Sequence, residues 1–476
     1  MKAPATVFAC QSCDAQSPKW TGQCLQCGHW GTMSAESAPT KKASVSFGAA
    51  GAAAAAAAKP AKIAAFDGLA SERKRRIPTG IAEADRVFGG GVVPGSITLL
   101  GGEPGIGKST LSIMLAARLA ATGKKTLYVS GEESASQVKM RADRLGLGQK
   151  NLFFLSETDV AVLSSTILSE KPAFAVIDSI QTLHCDDVPA EAGAVGQVRA
   201  AAARLVSLAK SSGVPLLLIG HVTKDGNVAG PKTLEHLVDT VLSFEGERDH
   251  PLRMLRSLKN RFGSTDESGI FEMNDAGLSE IKNPSAYLLD ARLESVPGSA
   301  ISCVMEGSRP VLVEIQALVQ KTSFGFPSRK SSGVDQSRVD MLLAVLSRRA
   351  GLDFGQYDVF VNVVGGIKVK EPAADLAIAL ALASAFKHVP LPSRLAAWGE
   401  LGLGGEIRPV TAHDRRLSEA AALGMTTAVA GFPRSSGTKK PIAGIRAVDA
   451  RTIKDAIAAM SPLTAGVPVG AIRKIA

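Results

Sequence analysis

The chain has 476 residues, of which 45% are hydrophobic and 21% are charged, and its formal net charge is +10. It is too long for one ordinary domain, and its apolar content is sufficient for the cores of about two or three. No run of about 18 apolar residues occurs, which excludes a transmembrane helix, and the N-terminal sequence lacks the apolar stretch of a signal peptide. We therefore expect a cytoplasmic protein that has no membrane partner and keeps its thiols reduced.

Four of the six cysteines lie within residues 1–31, in two CxxC pairs separated by ten residues. Two such turns direct four thiolates at one tetrahedral centre, which is the geometry that Zn²⁺ prefers. The alternatives are a redox pair and a chance spacing, and both are disfavoured because four of the six cysteines are in this register. Four protein ligands leave no open position, so we expect one structural Zn²⁺ per chain in a zinc knuckle, held by Cys10, Cys13, Cys24 and Cys27.

Residues 32–62 are rich in alanine, lysine, serine and proline and show no apolar periodicity, which predicts a flexible linker. The net charge is +6 over residues 1–80, −3 over residues 81–285 and +7 over residues 286–476. A basic excess on both sides of an acidic middle suits a polyanion that is bound outside the middle region. A soluble basic surface would give the same distribution, so charge alone leaves nucleic-acid binding open.

Within residues 63–285, short apolar runs alternate with amphipathic stretches, which is typical of an α/β fold with a parallel sheet. The predicted strands are Ser96–Gly101, Lys125–Ser130, Phe174–Asp178 and Pro215–Gly220, and the first precedes a predicted helix, Lys108–Ala121. Two later apolar segments, Leu252–Leu258 and Gly269–Met273, enclose the sequence KNRFG and suggest a hairpin. The pattern breaks near residue 284, and residues 286–476 are expected to form a second α/β domain.

The segment between the first predicted strand and its helix matches the P-loop pattern GxxxxGK[ST]. Its glycines allow backbone N–H groups to surround phosphates, its lysine reaches the β- and γ-phosphates, and its serine ligates Mg²⁺. The strand and helix around the motif are the context that the pattern requires, so we expect ATP and Mg²⁺ to bind here. The expected nucleotide-binding residues are Gly102, Glu103, Pro104, Gly105, Ile106, Gly107, Lys108, Ser109 and Thr110.

Further side chains are expected beside the nucleotide. Asp178 ends the third predicted strand, which is the Walker B position, and would complete the Mg²⁺ site with Ser109. Glu132 and Glu133 follow the second strand, and one of them would activate the attacking water, whereas the other could be a plain charge at a helix N-terminus. We favour Glu132 over Glu133 as the base. His221 follows the fourth strand and would sense the γ-phosphate, although an isolated histidine is more often a core or surface residue.

These residues are similar to those of RecA-type ATPases, and the whole chain resembles the bacterial RadA (Sms) family of DNA repair proteins. The resemblance rests on the two CxxC pairs, on GEPGIGKST, on KNRFG at Lys259–Gly263 and on the order of the domains. It implies a RecA-type core whose subunits form a ring, expected to be hexameric, with ATP between subunits. Lys259 and Arg261 would then act in trans on the γ-phosphate of a neighbouring subunit.

The resemblance also implies DNA-binding loops after the third and fourth strands, at His184–Arg199 and Val222–Glu235. Their cations Arg199, Lys224 and Lys232 are candidate phosphate contacts, although each by itself is more often a solvated surface residue. The implied partners are single-stranded DNA, branched DNA and a RecA-type recombinase. Since only 5% of the residues are aromatic, we expect the protein to follow the DNA backbone rather than to stack on bases.

Residues 286–476 resemble the Lon-protease domain, which has a ribosomal S5 domain 2-like fold. Lon proteases use a Ser–Lys dyad, but the segment that resembles the nucleophile segment carries Ala374 at the serine position. Asp414 occupies the position of the lysine, and no lysine occurs between His388 and Thr438. Without a nucleophile or a base the dyad mechanism cannot operate, and the domain is expected to serve as a scaffold or a DNA-binding platform.

Three functions are compatible with these motifs. The first is a DNA-dependent ATPase motor that acts on recombination intermediates, with helicase-like branch migration, in homologous recombination and DNA repair; it depends mostly on the family resemblance. The second is an ATP-dependent protease, which the missing dyad disfavours. The third is a phosphotransfer ATPase of the clock-protein type, for which the sequence marks no phospho-acceptor.

Overall fold

The computed structural model describes residues 6–10, 16–17, 19–25, 28–37, 76–220, 234–247, 250–290, 292, 296–323, 325–432 and 442–460. The chain divides into two compact units, Met1–Lys74 and Arg75–Ala476. The predicted linker lies outside the described residues from residue 38 onward. Among the residues that are described, no helix is long and apolar enough to cross a membrane.

The N-terminal unit contains a small antiparallel sheet of β1 (Thr6–Cys10), β2 (Gln16–Ser17) and β3 (Met33–Ser37), in which β1 is central. Cys10 ends β1, and Cys24 begins a turn in which the N–H of Gly28 donates to the Cys24 carbonyl at 2.9 Å. Gly28 has a φ of +74°, a left-handed conformation that glycine adopts without strain. The sheet and the turn thus hold two cysteines, both buried, at the ends of tight backbone segments.

The second unit begins with a large mixed sheet. Its strands are β4 (Ile97–Gly102), β5 (Thr126–Ser130), β6 (Leu152–Leu155), β7 (Phe174–Asp178), β8 (Leu216–Ile219), β9 (Thr240–Glu245), β10 (Leu252–Asn260), β11 (Ser268–Asn274) and β12 (Gly277–Glu280). Its helices are α1 (Ala82–Phe88), α2 (Lys108–Ala121), α3 (Ala135–Arg144), α4 (Val160–Glu170) and α5 (Val195–Ser212). The strand order is β12-β11-β10-β9-β4-β8-β7-β5-β6.

Both faces of this sheet are covered, because alternate residues of its central strand enter different cores. Ile97 and Leu99 of β4 pack in one core with α4 and α5, and Leu100 packs in the other with α1, α2 and α3. Strands that are buried on both faces form continuous apolar runs in the sequence. For that reason the predicted β4, β5, β7 and β8 agree with the structure to within one residue at each end, and the predicted α/β class is confirmed.

Three strands escaped the sequence analysis. β6, β9 and β12 are short or carry polar residues, and β9 lies between β4 and β10, parallel to β4 and antiparallel to β10. The suggested hairpin is confirmed, because β10 pairs with β11 in antiparallel register. β10 continues to Asn260, so that the first two residues of KNRFG belong to a strand rather than to a connecting loop.

The second sheet of this unit follows α6 (Pro284–Leu289), which is capped by Asn283 where the sequence pattern breaks. Its strands are β13 (Ser299–Glu306), β14 (Arg309–Lys321), β15 (Arg329–Ser332), β16 (Tyr357–Val363), β17 (Leu395–Trp398), β20 (Thr427–Ala430) and β21 (Arg446–Asp449), and β18 (Glu400–Leu401) pairs separately with β19 (Ile407–Arg408). The helices are α7 (Gln336–Val345), α8 (Asp375–Lys387), α9 (His413–Ala422) and α10 (Ile453–Ala458). Buried α8 packs against β13 and β14 and contributes much of the core.

Direct contacts join the two sheets of this unit. The Ser268 hydroxyl donates to the Glu306 carbonyl at 2.9 Å, and Arg256 of β10 forms an ion pair with the Glu306 carboxylate at 2.6 Å. Arg309 of β14 pairs with Glu83 of α1 at 3.1 Å. The hairpin β10–β11 and helix α1 are therefore fixed to the C-terminal sheet by partly buried charges.

Candidate nucleotide-binding site

The P-loop connects β4 to α2 along a path that only glycine permits. Gly107, immediately before the helix, has a φ of +111°. A Cβ at Gly107 would lie 2.5 Å from the Met273 methyl group, and a Cβ at Gly102 would lie 2.4 Å from the Phe244 carbonyl oxygen. The loop thus passes against β9 and β11 and enters a helix of 14 residues, whose N-terminus stabilises bound phosphate.

The side chain of Lys108 is 4% exposed and is held by the loop itself. Its ammonium donates to the carbonyls of Gly102 and Glu103, both at 2.9 Å. Burial lowers the pKa of Lys108, and the negative charges of Asp178 and Glu132 oppose that effect. The structure therefore brings three of the expected site residues, Lys108, Glu132 and Asp178, into one electrostatic cluster.

Asp178 ends β7 beside the P-loop and is buried. The hydroxyl of Tyr128 donates to Asp178 Oδ2 at 2.6 Å. Burial, followed by the charge of Asp178, raises the pKa of Tyr128 well above its usual value, so the phenol remains a donor. Tyr128 was not predicted; its only signal in the sequence is a polar hydroxyl within an apolar strand.

The two adjacent glutamates after β5 have different environments. The carboxylate of Glu132 accepts a hydrogen bond from Ser179, the residue that follows Asp178, and is close enough to Lys108 to affect its pKa. The carboxylate of Glu133 forms an ion pair with Arg141 of α3. Glu132 is thus directed toward the P-loop and Glu133 toward the helix.

Lys259 and Arg261 lie at the other end of the sheet from the P-loop of their own chain. The Lys259 ammonium donates to the carbonyls of Glu235 and Val238, which precede β9, at 2.6 and 2.9 Å. Arg261 pairs at 3.3 Å with Asp239, whose carboxylate accepts from the N–H of Ile97 at the start of β4. The P-loop follows the last residue of β4, and a strand rises about 3.3 Å per residue, so roughly 16 Å of sheet separates the two ends.

Arg253 of β10 holds the P-loop at Ile106, a role that no sequence pattern indicated. Its buried guanidinium donates to the Ile106 carbonyl at 3.2 Å and to the carbonyls of Glu247 and Leu252, both at 2.9 Å. A further donation, to the His250 carbonyl, completes the set. One cation therefore ties the P-loop to the segment after β9.

The C-terminal sheet also contributes to the surroundings of the P-loop. A cavity of about 370 Å³ is lined by P-loop residues, by the end of β9 and by the loop after β16. From that loop, Lys368 forms an ion pair with Glu247 at 3.3 Å, and Gly366 approaches His250. Residues of the Lon-like domain thus lie beside the nucleotide motif, which no sequence motif indicated.

The segment that resembles a protease nucleophile is packed as core. Ala374 is buried at the start of α8, and the neighbouring Asp375 forms an ion pair with Arg338 of α7. Burial raises the pKa of Asp375, and the hydrogen bond and charge of Arg338 oppose that effect. Asp414 lies in the first turn of α9. The side chain at the serine position carries no nucleophilic atom.

Some predicted residues lie outside the described part of the chain: His221, Lys224 and Lys232, and two of the four predicted zinc ligands, Cys13 and Cys27. The other two ligands, Cys10 and Cys24, are both buried in the N-terminal unit. Arg199 lies on α5 and is exposed. Two buried thiols, one at the end of β1 and one at the start of a turn, fit a site that binds a metal through sulfur.

Family models match three parts of the chain. A rubredoxin metal binding domain of the zinc-ribbon type matches residues 8–35, an AAA domain matches residues 68–227, and subunit ChlI of Mg-chelatase matches residues 316–432. The predicted fold class, a small zinc knuckle followed by a P-loop core and a Lon-like domain, is confirmed by these matches and by the two sheets, and the first match assigns the knuckle to the zinc-ribbon type.

Several relatives are similar over nearly the whole length. The chain is 46% identical over 450 residues to DNA repair protein RadA of Bacillus subtilis (strain 168), which covers 94% of the chain and 97% of the relative. It is 48% identical over 419 residues to DNA repair protein RadA of Listeria monocytogenes, over 88% and 90% of the two chains. It is 46% identical over 462 residues to DNA repair protein RadA of Escherichia coli (strain K12), over 97% and 100%.

Proposed function

Because the chain belongs to the RadA family of DNA repair proteins, we propose that it is a DNA-dependent ATPase motor that moves on recombination intermediates. The observation that carries the proposal is the division of charged residues between the two ends of β4. Lys108, Glu132 and Asp178 cluster at the P-loop, whereas Lys259 and Arg261 lie at the far end of the same sheet. A site divided in this way is completed only by a second copy of the chain.

At the P-loop end, each residue has a separate task. The loop N–H groups and Lys108 hold the phosphates of ATP, and Ser109 with Asp178 would hold Mg²⁺, which neutralises charge on the β- and γ-phosphates. Tyr128 orients the Asp178 carboxylate through its hydrogen bond. Glu132 accepts a proton from the attacking water, while Ser179 fixes the position of its carboxylate.

At the other end, Lys259 and Arg261 serve a neighbouring subunit. Both cations are held by groups that precede β9, so their positions are set by the same strand that lies beside β4. In a head-to-tail ring this end of one subunit faces the P-loop end of the next. A cation supplied in trans is worth roughly 10³–10⁵ in turnover. We expect the assembly to be a hexameric ring in the cytoplasm.

The DNA would lie within the ring and be held through its phosphates. The acidic balance of residues 81–285 places the basic excess in the flanking regions, where a polyanion is favoured. Within the middle region, Arg199 of the first predicted loop and Lys224 and Lys232 of the second would add local contacts to the backbone. Single-stranded and branched DNA and a RecA-type recombinase are the expected partners, and homologous recombination is the expected process.

Peptide hydrolysis is not part of the proposal. Ala374 is buried and has no nucleophilic atom, and the lysine position is occupied by Asp414. The Lon-like domain instead acts as a scaffold that closes the cavity beside the P-loop.

The test is ATP hydrolysis by the purified full chain with and without single-stranded DNA, over a series of salt concentrations. We expect stimulation by DNA of any sequence that declines as salt rises, because phosphate contacts release counterions. Extension of three-stranded recombination intermediates, measured in the same buffers, should require ATP. Turnover that is indifferent to DNA at every salt concentration would refute the motor and leave only an ATPase.

A further inference from the structure

Two of the three tryptophans lie exposed on the small N-terminal unit. Trp20 is 61% exposed and Trp30 is 74% exposed, whereas Trp398 in the C-terminal sheet is fully buried. Leu25, between them in the sequence, is 90% exposed. Large apolar side chains that are exposed together mark an interaction surface more often than a solvated one.

The two indoles lie on one surface and are held in place by the backbone. A Cβ on Gly22 would lie 3.6 Å from the ring of Trp30 and 3.8 Å from the ring of Trp20, so both rings border the same residue. The indole N–H of Trp20 donates to the Met33 carbonyl at 3.3 Å. Trp30 forms a β-bridge with Gln23. The rings are therefore positioned by the zinc-ribbon fold while much of each ring remains accessible.

A rigid aromatic surface can bind two kinds of partner: a protein with an apolar pocket, or a nucleic acid whose unstacked bases lie against the rings. An adjacent cation and the role of the relatives in DNA repair favour the second. Exposed Lys19 adjoins Trp20, and the basic excess of residues 1–80, a net charge of +6, lies in the sequence after the zinc ribbon, beginning with Lys41 and Lys42. Aromatic rings that lie beside cations are the usual composition of a surface that binds single strands.

We propose that Trp20 and Trp30 form a base-stacking platform for single-stranded DNA. The platform deepens the proposed function, on which it rests, because it adds a second class of contact to a protein that otherwise follows the phosphates. The low aromatic content of the whole chain does not contradict it, since two residues suffice. Stacking is independent of base sequence, because every base has an aromatic face.

The distribution of tryptophans makes the test direct. Trp398 is buried and donates its N–H to His413 at 3.2 Å, so a base that stacks on the protein quenches Trp20 and Trp30 alone. The full chain is titrated with an oligo-dT strand and with an abasic strand of the same length, and intrinsic fluorescence is recorded. We expect strong quenching by oligo-dT and little by the abasic strand, because the two share phosphates and differ in bases.

Affinity for labelled oligo-dT then separates stacking from folding. Replacing both residues, Trp20→Ala with Trp30→Ala, should weaken binding by about 30-fold or more, whereas the pair Trp20→Phe and Trp30→Phe should retain most of the affinity. The matched control Leu403→Ala removes an exposed apolar side chain from the turn between β18 and β19 and should leave affinity unchanged. Zinc content, measured for each variant, shows that the unit remains folded.

Each result has one meaning. Quenching by oligo-dT alone, with affinity lost in the alanine pair and kept in the phenylalanine pair, supports the platform. Equal quenching by the abasic strand, or no quenching while DNA still stimulates ATP hydrolysis, overturns the platform and leaves the motor intact. Loss of both quenching and stimulation overturns the two together. A fluorescence change with a recombinase and none with DNA would assign the surface to a protein partner instead.

Discussion

Glu132 and Glu133 show how one residue of sequence separates two roles. Both residues follow β5. By position alone, either carboxylate could stabilise the N-terminus of the following helix, and either could be the catalytic base. The structure distinguishes them by their partners, Ser179 for Glu132 and Arg141 for Glu133. The pairing depends on where α3 begins and on the neighbouring strand β7, neither of which the local sequence specifies.

Replacing Glu132 with glutamine tests the assignment. Glu132→Gln keeps the size and the hydrogen bond but cannot accept a proton, so we expect kcat to fall by about 10²–10⁴-fold with ATP affinity nearly unchanged. The matched variant Glu133→Gln should lower kcat by less than about tenfold, since it weakens only an ion pair with Arg141. Steady-state hydrolysis and nucleotide-binding measurements compare the two, and a larger defect in Glu133→Gln would reverse the assignment.

The strands β9 and β10 determine what surrounds the P-loop. β9 was missed because polar residues interrupt its apolar run, yet it separates β4 from the hairpin and so brings Arg253 against the P-loop. The Arg253 guanidinium donates to four carbonyls, so it stabilises the P-loop only if the tertiary structure holds all four carbonyls around it.

Arg253→Met should therefore loosen the P-loop. It leaves buried carbonyls without a donor, which costs about 2–4 kcal/mol of unfolding free energy, and the KM for ATP should rise several-fold while kcat changes less. The control Arg144→Met removes an exposed arginine at the end of α3 and should change neither quantity. Thermal unfolding and ATP titrations measure both effects, and an Arg253→Met protein with unchanged stability and KM would contradict the anchoring role.

Helix α8 begins with a buried charge where a protease would have its nucleophile. Asp375 is 1% exposed, and burial raises its pKa while Arg338 opposes the rise. A carboxyl whose folded pKa is raised contributes most stability below its unfolded pKa, and that contribution is lost as the pH rises through the folded value. In the wild-type protein the Arg338 cation stabilises the ionised Asp375 carboxylate, so the loss of stability with rising pH is smaller.

Removing Arg338 should make the stability depend on pH. Arg338→Met leaves Asp375 without its cation, so we expect a loss of about 3–5 kcal/mol at neutral pH that becomes smaller as the pH is lowered toward 5. Combining it with Asp375→Asn should remove the pH dependence. Thermal unfolding between about pH 5 and pH 8 follows the change, and a destabilisation that is equal at all pH values would show that Asp375 does not titrate as expected.

The whole assembly is tested by mixing two inactive chains. Lys108→Ala disables the P-loop, and Lys259→Ala disables the opposite end of the sheet, so each alone should show almost no DNA-stimulated hydrolysis. In a head-to-tail ring formed from an equal mixture, about a quarter of the interfaces combine an intact P-loop from one chain with an intact Lys259 from its neighbour. Turnover should therefore recover to about a quarter of the wild-type value. No recovery in mixed assemblies would refute a site shared between subunits, and Lys150→Ala, an exposed lysine, serves as the active control.

The sequence by itself determined the features that depend on spacing along the chain. The cysteine register, the P-loop between a strand and a helix, the apolar runs of buried strands and the lack of a Ser–Lys dyad are local patterns, and each predicted its part of the fold. They also sufficed to identify the family, which the comparisons confirmed.

Tertiary structure decided everything that depends on register and packing between distant segments. Strand order placed Lys259 away from its own P-loop, and long-range hydrogen bonds gave Tyr128 and Arg253 their roles. It also brought Lys368 of the Lon-like domain beside the P-loop and left Trp20 and Trp30 at the surface. The reason is physical: local propensity fixes which elements form, but which side chains meet is set by how those elements pack, and that information is spread over the whole chain.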